Sequence, residues 1–365
     1  MRRYFFYIVF INSISNIIIF LAKFLVPNHT KGALLAIIFS LPFGTVIIYF
    51  FSRALMMFPG KNFSEILEAA LPYWLRVTIM IIFCPAWYIS GILMLSGTID
   101  ITVTFVDPQT SLYLILVAYI GLVIFSINTK GTSILYALEI FIFFIVPALM
   151  FVFIKAITNQ FFSWDACMET VTHSFALPSI SLLAVTTYNF SGYTDMLAFN
   201  RDFNGRFDSK HLWLFPVVIL IFQLFTLFVP IGYLGTEGAP DFNFPWLASA
   251  DCMVIKTGII ERILFIYLLI YLVTSLVNVI VHWYVSFELF KELFLDQFKM
   301  KNVKAVTRRI LCAFAAGPFI FTFFIIQEKK LVIANIWLSL RVLLEVFLVV
   351  LLNYIAYKSK RKGRI

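Results

Sequence analysis

Ten stretches of this chain are apolar for about the 20 residues that a helix needs to cross a bilayer: roughly 5–26, 31–52, 75–100, 111–127, 133–155, 177–198, 212–235, 258–287, 308–326 and 331–357. No other feature limits the fold so strongly. In hydrocarbon every backbone N–H and C=O must find a partner inside the protein, which leaves helices and closed barrels as spanning structures. No stretch alternates apolar and polar residues as a barrel strand does. The chain therefore reads as an all-α polytopic membrane protein with ten transmembrane helices. Composition agrees, because 13% of residues are charged and 62% hydrophobic, where a soluble domain carries about 25% charged residues. The connections are too short to hold a second fold, so residues 1–365 read as a single transmembrane domain. The first apolar stretch is similar to a signal peptide. It lacks a small-residue cleavage site and runs the length of a full span, so it reads as the first helix.

Charge orients the spans. A net charge of +9 would suggest nucleic acid in a soluble chain. In a membrane chain it reads as Lys and Arg held on the cytoplasmic side, and no nucleic acid partner is expected. With the N-terminus inside, 20 of the 28 Lys and Arg fall in cytoplasmic segments and six outside, with Lys23 and Arg341 within spans. Both termini are expected in the cytoplasm. The basic tail beside the lipid bilayer reads as a stop-transfer flank in preference to a lipid-recognition site.

One span changes character halfway. Residues 177–195 read LPSISLLAVTTYNFSGYTD: an apolar helix runs into Thr186, Thr187, Tyr188, Asn189, Phe190, Ser191, Gly192, Tyr193 and Thr194. Such interrupted helices are where many transporters bind their substrates, through unwound backbone and free helix ends. Ten spans divide into two halves of five, an odd number that permits an inverted 5+5 repeat, the first about 5–155 and the second about 177–357. Span 1 then corresponds to span 6, and it too carries a polar cluster: Asn12, Ser13, Ile14, Ser15 and Asn16. The expectation is a transporter-like fold with helices 1 and 6 broken. Span 1 has no glycine at that place, so the alternative is that it stays helical with its serines bonded back one turn. Expected ligand contacts are Tyr188, Asn189, Phe190, Ser191 and Gly192, facing Ser13 and Ser15.

Ionisable residues inside spans mark function or a pair. Arg341 and Glu345 are spaced i,i+4 and are expected to neutralise each other on one helix face. Glu139 reads as an interface residue beside Lys130, with a proton relay as the alternative. Asp195 is expected to pair with Arg201 at the inner end of span 6, and Asp100 to mark the outer end of span 3. His282 reads as hydrogen-bonded packing. The cysteines, Cys84, Cys167, Cys252 and Cys312, have neither CxxC nor metal spacing. Two unpaired thiols at Cys167 and Cys252 are the simpler reading, and a pair is the alternative. There is no P-loop, no GxSxG and no HExxH. The acidic 7–8 connection (Glu237, Asp241, Asp251) is too dispersed for an active site. No enzyme activity, cofactor or metal is expected.

Three stretches carry a family resemblance. They are FPGKNFSEIL at 58–67, FSGYTDMLAF at 190–199, and FPWLASADCMVIKTGIIERILFIYLLIYL at 244–272, in which Glu261 and Arg262 follow Gly258. The layout resembles the amino acid–polyamine–organocation superfamily. Within it the motifs are similar to the spore germination permeases, the B subunits of nutrient germinant receptors. Residues 12–16 stand where that family usually carries glycines, and Asp195 replaces its common Gly-x-Glu acid. The resemblance implies a receptor subunit in the spore inner membrane, acting with an A subunit and a lipid-anchored C subunit. It implies a small-molecule ligand, most often an amino acid and less often a sugar or nucleoside. A secondary amino acid transporter coupled to H⁺ or Na⁺ is the alternative. Glu261 and Arg262 are expected to act structurally, as a pair fixing the outer start of span 8.

Overall fold

The structure is a computed structural model that describes residues 2–172, 175–203, 211–254 and 262–361. Eight helices are long and apolar enough to cross a membrane. They are α1 (Arg3–Asn28), α2 (Ala33–Leu55), α4 (Tyr73–Val106), α6 (Gly131–Thr158), α10 (Leu214–Asp241), α12 (Ile263–Gln297), α13 (Val303–Phe324) and α14 (Lys329–Arg361). Between them lie the amphipathic α3 (Phe63–Glu68) and the shorter apolar α5 (Leu112–Ile127). The remaining helices are α7 (Trp164–Thr172), α8 (Ile180–Tyr188), α9 (Met196–Phe199) and α11 (Pro245–Asp251). Among the described residues there is no strand, only a bridge between Val254 and Arg262. The chain is a multi-pass membrane protein.

The two segments expected to break behave differently. α1 does not unwind: it passes through a π-helical turn at Ile17–Leu21 with right-handed backbone on both sides. Serine back-bonding, Ser15 Oγ to Ile11 O at 2.7 Å, keeps its polar cluster helical. The segment after α8 does break. α8 starts on a Ser179 cap, whose side chain accepts from Leu182 N. It stops at Tyr188, and the chain continues as a tighter 3₁₀ turn at Ser191–Asp195 before α9.

α1 and α12 form the buried middle of the bundle. α12 packs most extensively along α4, and also against α1 and α6. α1 lies against the Ser191–Asp195 turn, while α14 and α2 flank α8. Outward faces of α5, α6 and α13 carry Phe125, Phe143, Phe144 and Phe324, all exposed. In a bilayer they meet lipid, which accounts for part of the chain's 43 Phe.

At the end rich in Lys and Arg, α3 is tied to α12. Asn62 and Glu65 form a reciprocal capping box at the start of α3. Ser64 N donates to Glu292 at 3.0 Å, and Gln297 donates to Ser64 Oγ at 2.6 Å. Asn200 holds the preceding loop through Phe58 O and Lys61 O, at 2.7 and 2.8 Å. The 58–67 motif is thus a clasp between the α2–α3 connection, the broken segment and α12.

Candidate functional site

A helix that stops in hydrocarbon leaves its last carbonyls without partners, and unsatisfied carbonyls there are costly. α8 resolves this with side chains from three other helices. Asn12 of α1 donates to Tyr188 O at 2.8 Å. Gln223 of α10 donates to Thr186 O at 2.7 Å. Arg341 of α14 donates to Ala184 O at 2.8 Å and to Thr187 Oγ1 at 3.1 Å, and also to Ser191 Oγ. The guanidinium lies 4.9 Å over the Tyr188 ring. A cation at a helix C-terminus also meets the negative end of the helix dipole.

The 3₁₀ turn brings Asp195 into the interior, where it is fully buried. It does not pair with Arg201, as span position suggested. Trp87 Nε1 of α4 donates to Asp195 Oδ1 at 2.7 Å, and His282 Nδ1 of α12 stands 3.3 Å from Asp195 Oδ2. On its other side, His282 Nε2 is 3.2 Å from the Tyr188 hydroxyl. A polar chain thus runs Trp87, Asp195, His282, Tyr188 across four elements. Arg201 instead meets Glu288 at 2.7 Å, and Lys291 shares the same carboxylate at 3.0 Å. Inner-end tightening of the turn draws Asp195 inward and leaves Arg201 at the helix end.

These side chains enclose a cavity of about 40 Å³. α4 supplies Trp87 and Ser90, and the broken segment supplies Tyr188, Ser191 and Thr194. His282 lines it from α12, and Trp337, Arg341 and Glu345 from α14. Small-molecule sites usually hold about 300–1,000 Å³, so this cavity has room only for waters or a small side chain.

Of the expected contact residues, Tyr188 and Ser191 line this cavity. Asn189 joins its side-chain amide to that of Asn16. Phe190 packs its ring onto Gly44 of α2, where any Cβ would collide with it. Gly192 meets α1: an added Cβ would lie 2.8 Å from Ile8 O and from Val9 Cα. Ser15 Oγ reaches Thr274 O of α12 at 2.9 Å. Ser13 is buried, and its hydroxyl makes no hydrogen bond among the described residues. So the polar clusters of α1 and the broken segment do meet, through hydrogen bonds and close packing, but no residue of α1 lines the cavity, which lies toward α4, α12 and α14.

Other sequence expectations are corrected. Glu139 pairs with Arg3 at 3.0 Å and accepts from Tyr4 at 3.0 Å, in place of Lys130. Glu261 lies outside the described residues. Arg262 pairs with Asp251 at 3.1 Å, while Ile263 N donates to Met253 O at 3.2 Å. Asp100 at the far end meets Lys330 at 3.1 Å. Arg341 and Glu345 pair at 2.7 Å, as their spacing implied. Cys167 is buried, Cys252 exposed, and both are free. Trp87, Ser90 and Trp337 carried no warning in the sequence, since each sits in a plain apolar run.

Among solved structures, the chain is similar to MHP1, a nucleobase-cation-symport-1 family transporter in a closed conformation with bromovinylhydantoin bound. The TM-score is 0.51 at 11% identity, covering 86% of this chain and 71% of that one. At that identity the likeness concerns the fold, which is transporter-like. No curated protein matches the chain significantly. The spore germination protein family model matches residues 2–332. Nearly the whole chain carries that match, and the protein belongs to the spore germination protein family.

Proposed function

We propose that this chain is a germinant-sensing subunit, equivalent to the B subunit of a nutrient germinant receptor. It binds a small nutrient, an amino acid foremost, in the cavity beside the helix break and signals germination without catalysing a reaction. The observation that supports this reading is the small cavity itself: four helical elements converge on it, and its size requires them to part before any nutrient is held there. Binding would then separate α14 from the broken segment, and partner subunits would respond to the displaced helices. The proposed partners are the A subunit and the lipid-anchored C subunit, in the spore inner membrane.

The reading includes a ten-span topology in one domain with a 5+5 repeat and both termini in the cytoplasm. α5 crosses as a short span, and α8 with α9 makes the sixth. Tyr188 and Ser191 contact the ligand. Asn189, Phe190 and Gly192, with Ser13 and Ser15 of α1, form the packed face that transmits its arrival.

The test is transport by the isolated chain. Purified protein in liposomes with labelled amino acids is expected to bind without accumulating label inside. Robust uptake without partners would favour the second reading, a secondary amino acid transporter coupled to H⁺ or Na⁺. That reading draws on one observation of its own, the buried Asp195–His282 pair at the break, since intramembrane carboxylates and histidines recur in ion-coupled transporters.

A further inference from the structure

We infer that the Arg341–Glu345 pair of α14 is the charge-reading element of the cavity, and that it opens to admit a zwitterion. The ligand's carboxylate replaces Glu345 on Arg341, and the released Glu345 receives the ligand's ammonium. This deepens the nutrient-site reading and rests on it.

Both side chains line the cavity and are buried, Arg341 at 5% and Glu345 at 8% exposure. A buried ion pair seldom stabilises more than apolar residues of similar volume would, so stability alone does not explain its presence. The two partners are held unequally. Arg341 is anchored on Ser191, Ala184 O and Thr187, and lies over Tyr188. Those contacts hold the guanidinium in place when Glu345 leaves. Its Nε has no hydrogen-bond partner among the described residues, so one further N–H remains for a carboxylate besides the one that Glu345 releases. Glu345 stands one turn along the same helix, and a rotamer change moves its carboxylate without moving the backbone.

The exchange keeps the charge balance. One internal ion pair opens, and two pairs with the ligand form in its place. A ligand with a single charge satisfies one partner and strands the other. A sugar or nucleoside strands both, and a separated buried charge is costly. The aromatic wall of Trp87 and Trp337 leaves space for a small apolar side chain. Of the other ionisable groups in the lining, His282 and Tyr188 face each other, and His282 is also engaged by Asp195. Arg341 and Glu345 lie beyond the residues 2–332 matched by the family model.

The experiment melts the purified full-length chain with a panel of proteinogenic amino acids, and with propionate, alaninamide, glucose and inosine. An amino acid is expected to raise Tm, with propionate and alaninamide requiring roughly tenfold more or higher concentration for the same shift. The double variant Arg341→Gln/Glu345→Gln removes both charges together, so neither is stranded. It is expected to melt lower than the wild type without ligand, because Ala184 O and Thr187 lose their donor, and to show no amino acid shift relative to its own ligand-free Tm. Should that variant fail to fold, the wild-type comparison of zwitterion with single-charge analogues decides alone. An equal amino acid shift in wild type and double variant overturns this assignment and leaves the nutrient site standing. So does a wild-type shift by propionate matching that by the amino acid. A shift by glucose or inosine alone also overturns it. No shift in any arm overturns both the assignment and the nutrient-site reading.

Discussion

At the scale of single residues, the site depends on positions that tolerate no extra atom and on charges that tolerate no lost partner. Gly192 is the first kind. Its Cα lies against α1 backbone so closely that a Cβ would sit 2.8 Å from Ile8 O. Gly192→Leu is expected to cost about 1–3 kcal/mol through forced separation of the turn from α1. It should abolish the germination response while membrane levels on an immunoblot stay near normal, and a normal response would count against the break as the binding element. Exposed pairs should matter far less. Arg262 and Asp251 are 58% and 49% exposed, so Asp251→Asn should change stability by no more than about 1 kcal/mol, read as a small Tm shift. Tyr188 and Ser191 were legible in the sequence because a polar run with a glycine is conspicuous within an apolar span. Trp87, Ser90 and Trp337 were not, because an aromatic or a serine in an apolar run looks the same whether it faces lipid or a cavity. Asp195 was visible as an acid, but its partner was not. The nearest charge in sequence, Arg201, is carried past it by the 3₁₀ turn, and the true partners come from 108 residues upstream and from α12.

At the scale of elements, the broken segment is stable because other helices complete its hydrogen bonding. Gln223 shows this well. It donates to Thr186 O at 2.7 Å and accepts from Ser40 Oγ at 3.2 Å, so one amide ties α10, α8 and α2 together. Gln223→Leu strands a buried carbonyl and is expected to destabilise by about 1–3 kcal/mol, seen as a lower Tm in detergent. Unchanged melting would mean that the carbonyl finds another donor. The contrast with α1 is physical. Both segments carry clustered Asn and Ser, yet α1 remains helical through a π turn while the other tightens into 3₁₀ form. α1 lacks a glycine at its polar cluster and presents a full side-chain surface to α12. The broken segment has Gly192, which lets its backbone close on α1. Sequence periodicity alone cannot separate these outcomes, because the deciding contact is between the two segments.

At the scale of the whole molecule, eight of the ten expected spans appear as helices long and apolar enough to cross a membrane, and these were legible because hydrocarbon length is a local property. The cavity was not, because it lies where four distant elements meet. Sidedness is testable through Cys252, exposed beyond α11, whereas Cys167 is buried. A membrane-impermeant maleimide is expected to label Cys252 from outside in intact cells. Burial raises the thiol of Cys252, with nearby Asp251 adding to the effect, and burial pushes that of Cys167 up to about 11. A raised thiol holds less reactive thiolate at neutral pH, so labelling of Cys252 should quicken by up to about tenfold per pH unit as pH rises toward its pKa. Labelling only after permeabilisation would reverse the topology. The small volume of the cavity has one more consequence. A protein whose ligand-ready form is rarely populated has its apparent affinity weakened by that fraction, so a form present at about 1% needs about a hundredfold more ligand. Under the proposed nutrient-sensing role, side chains that occupy the site would therefore set a detection threshold, below which traces of nutrient go unanswered and above which a lasting supply is registered.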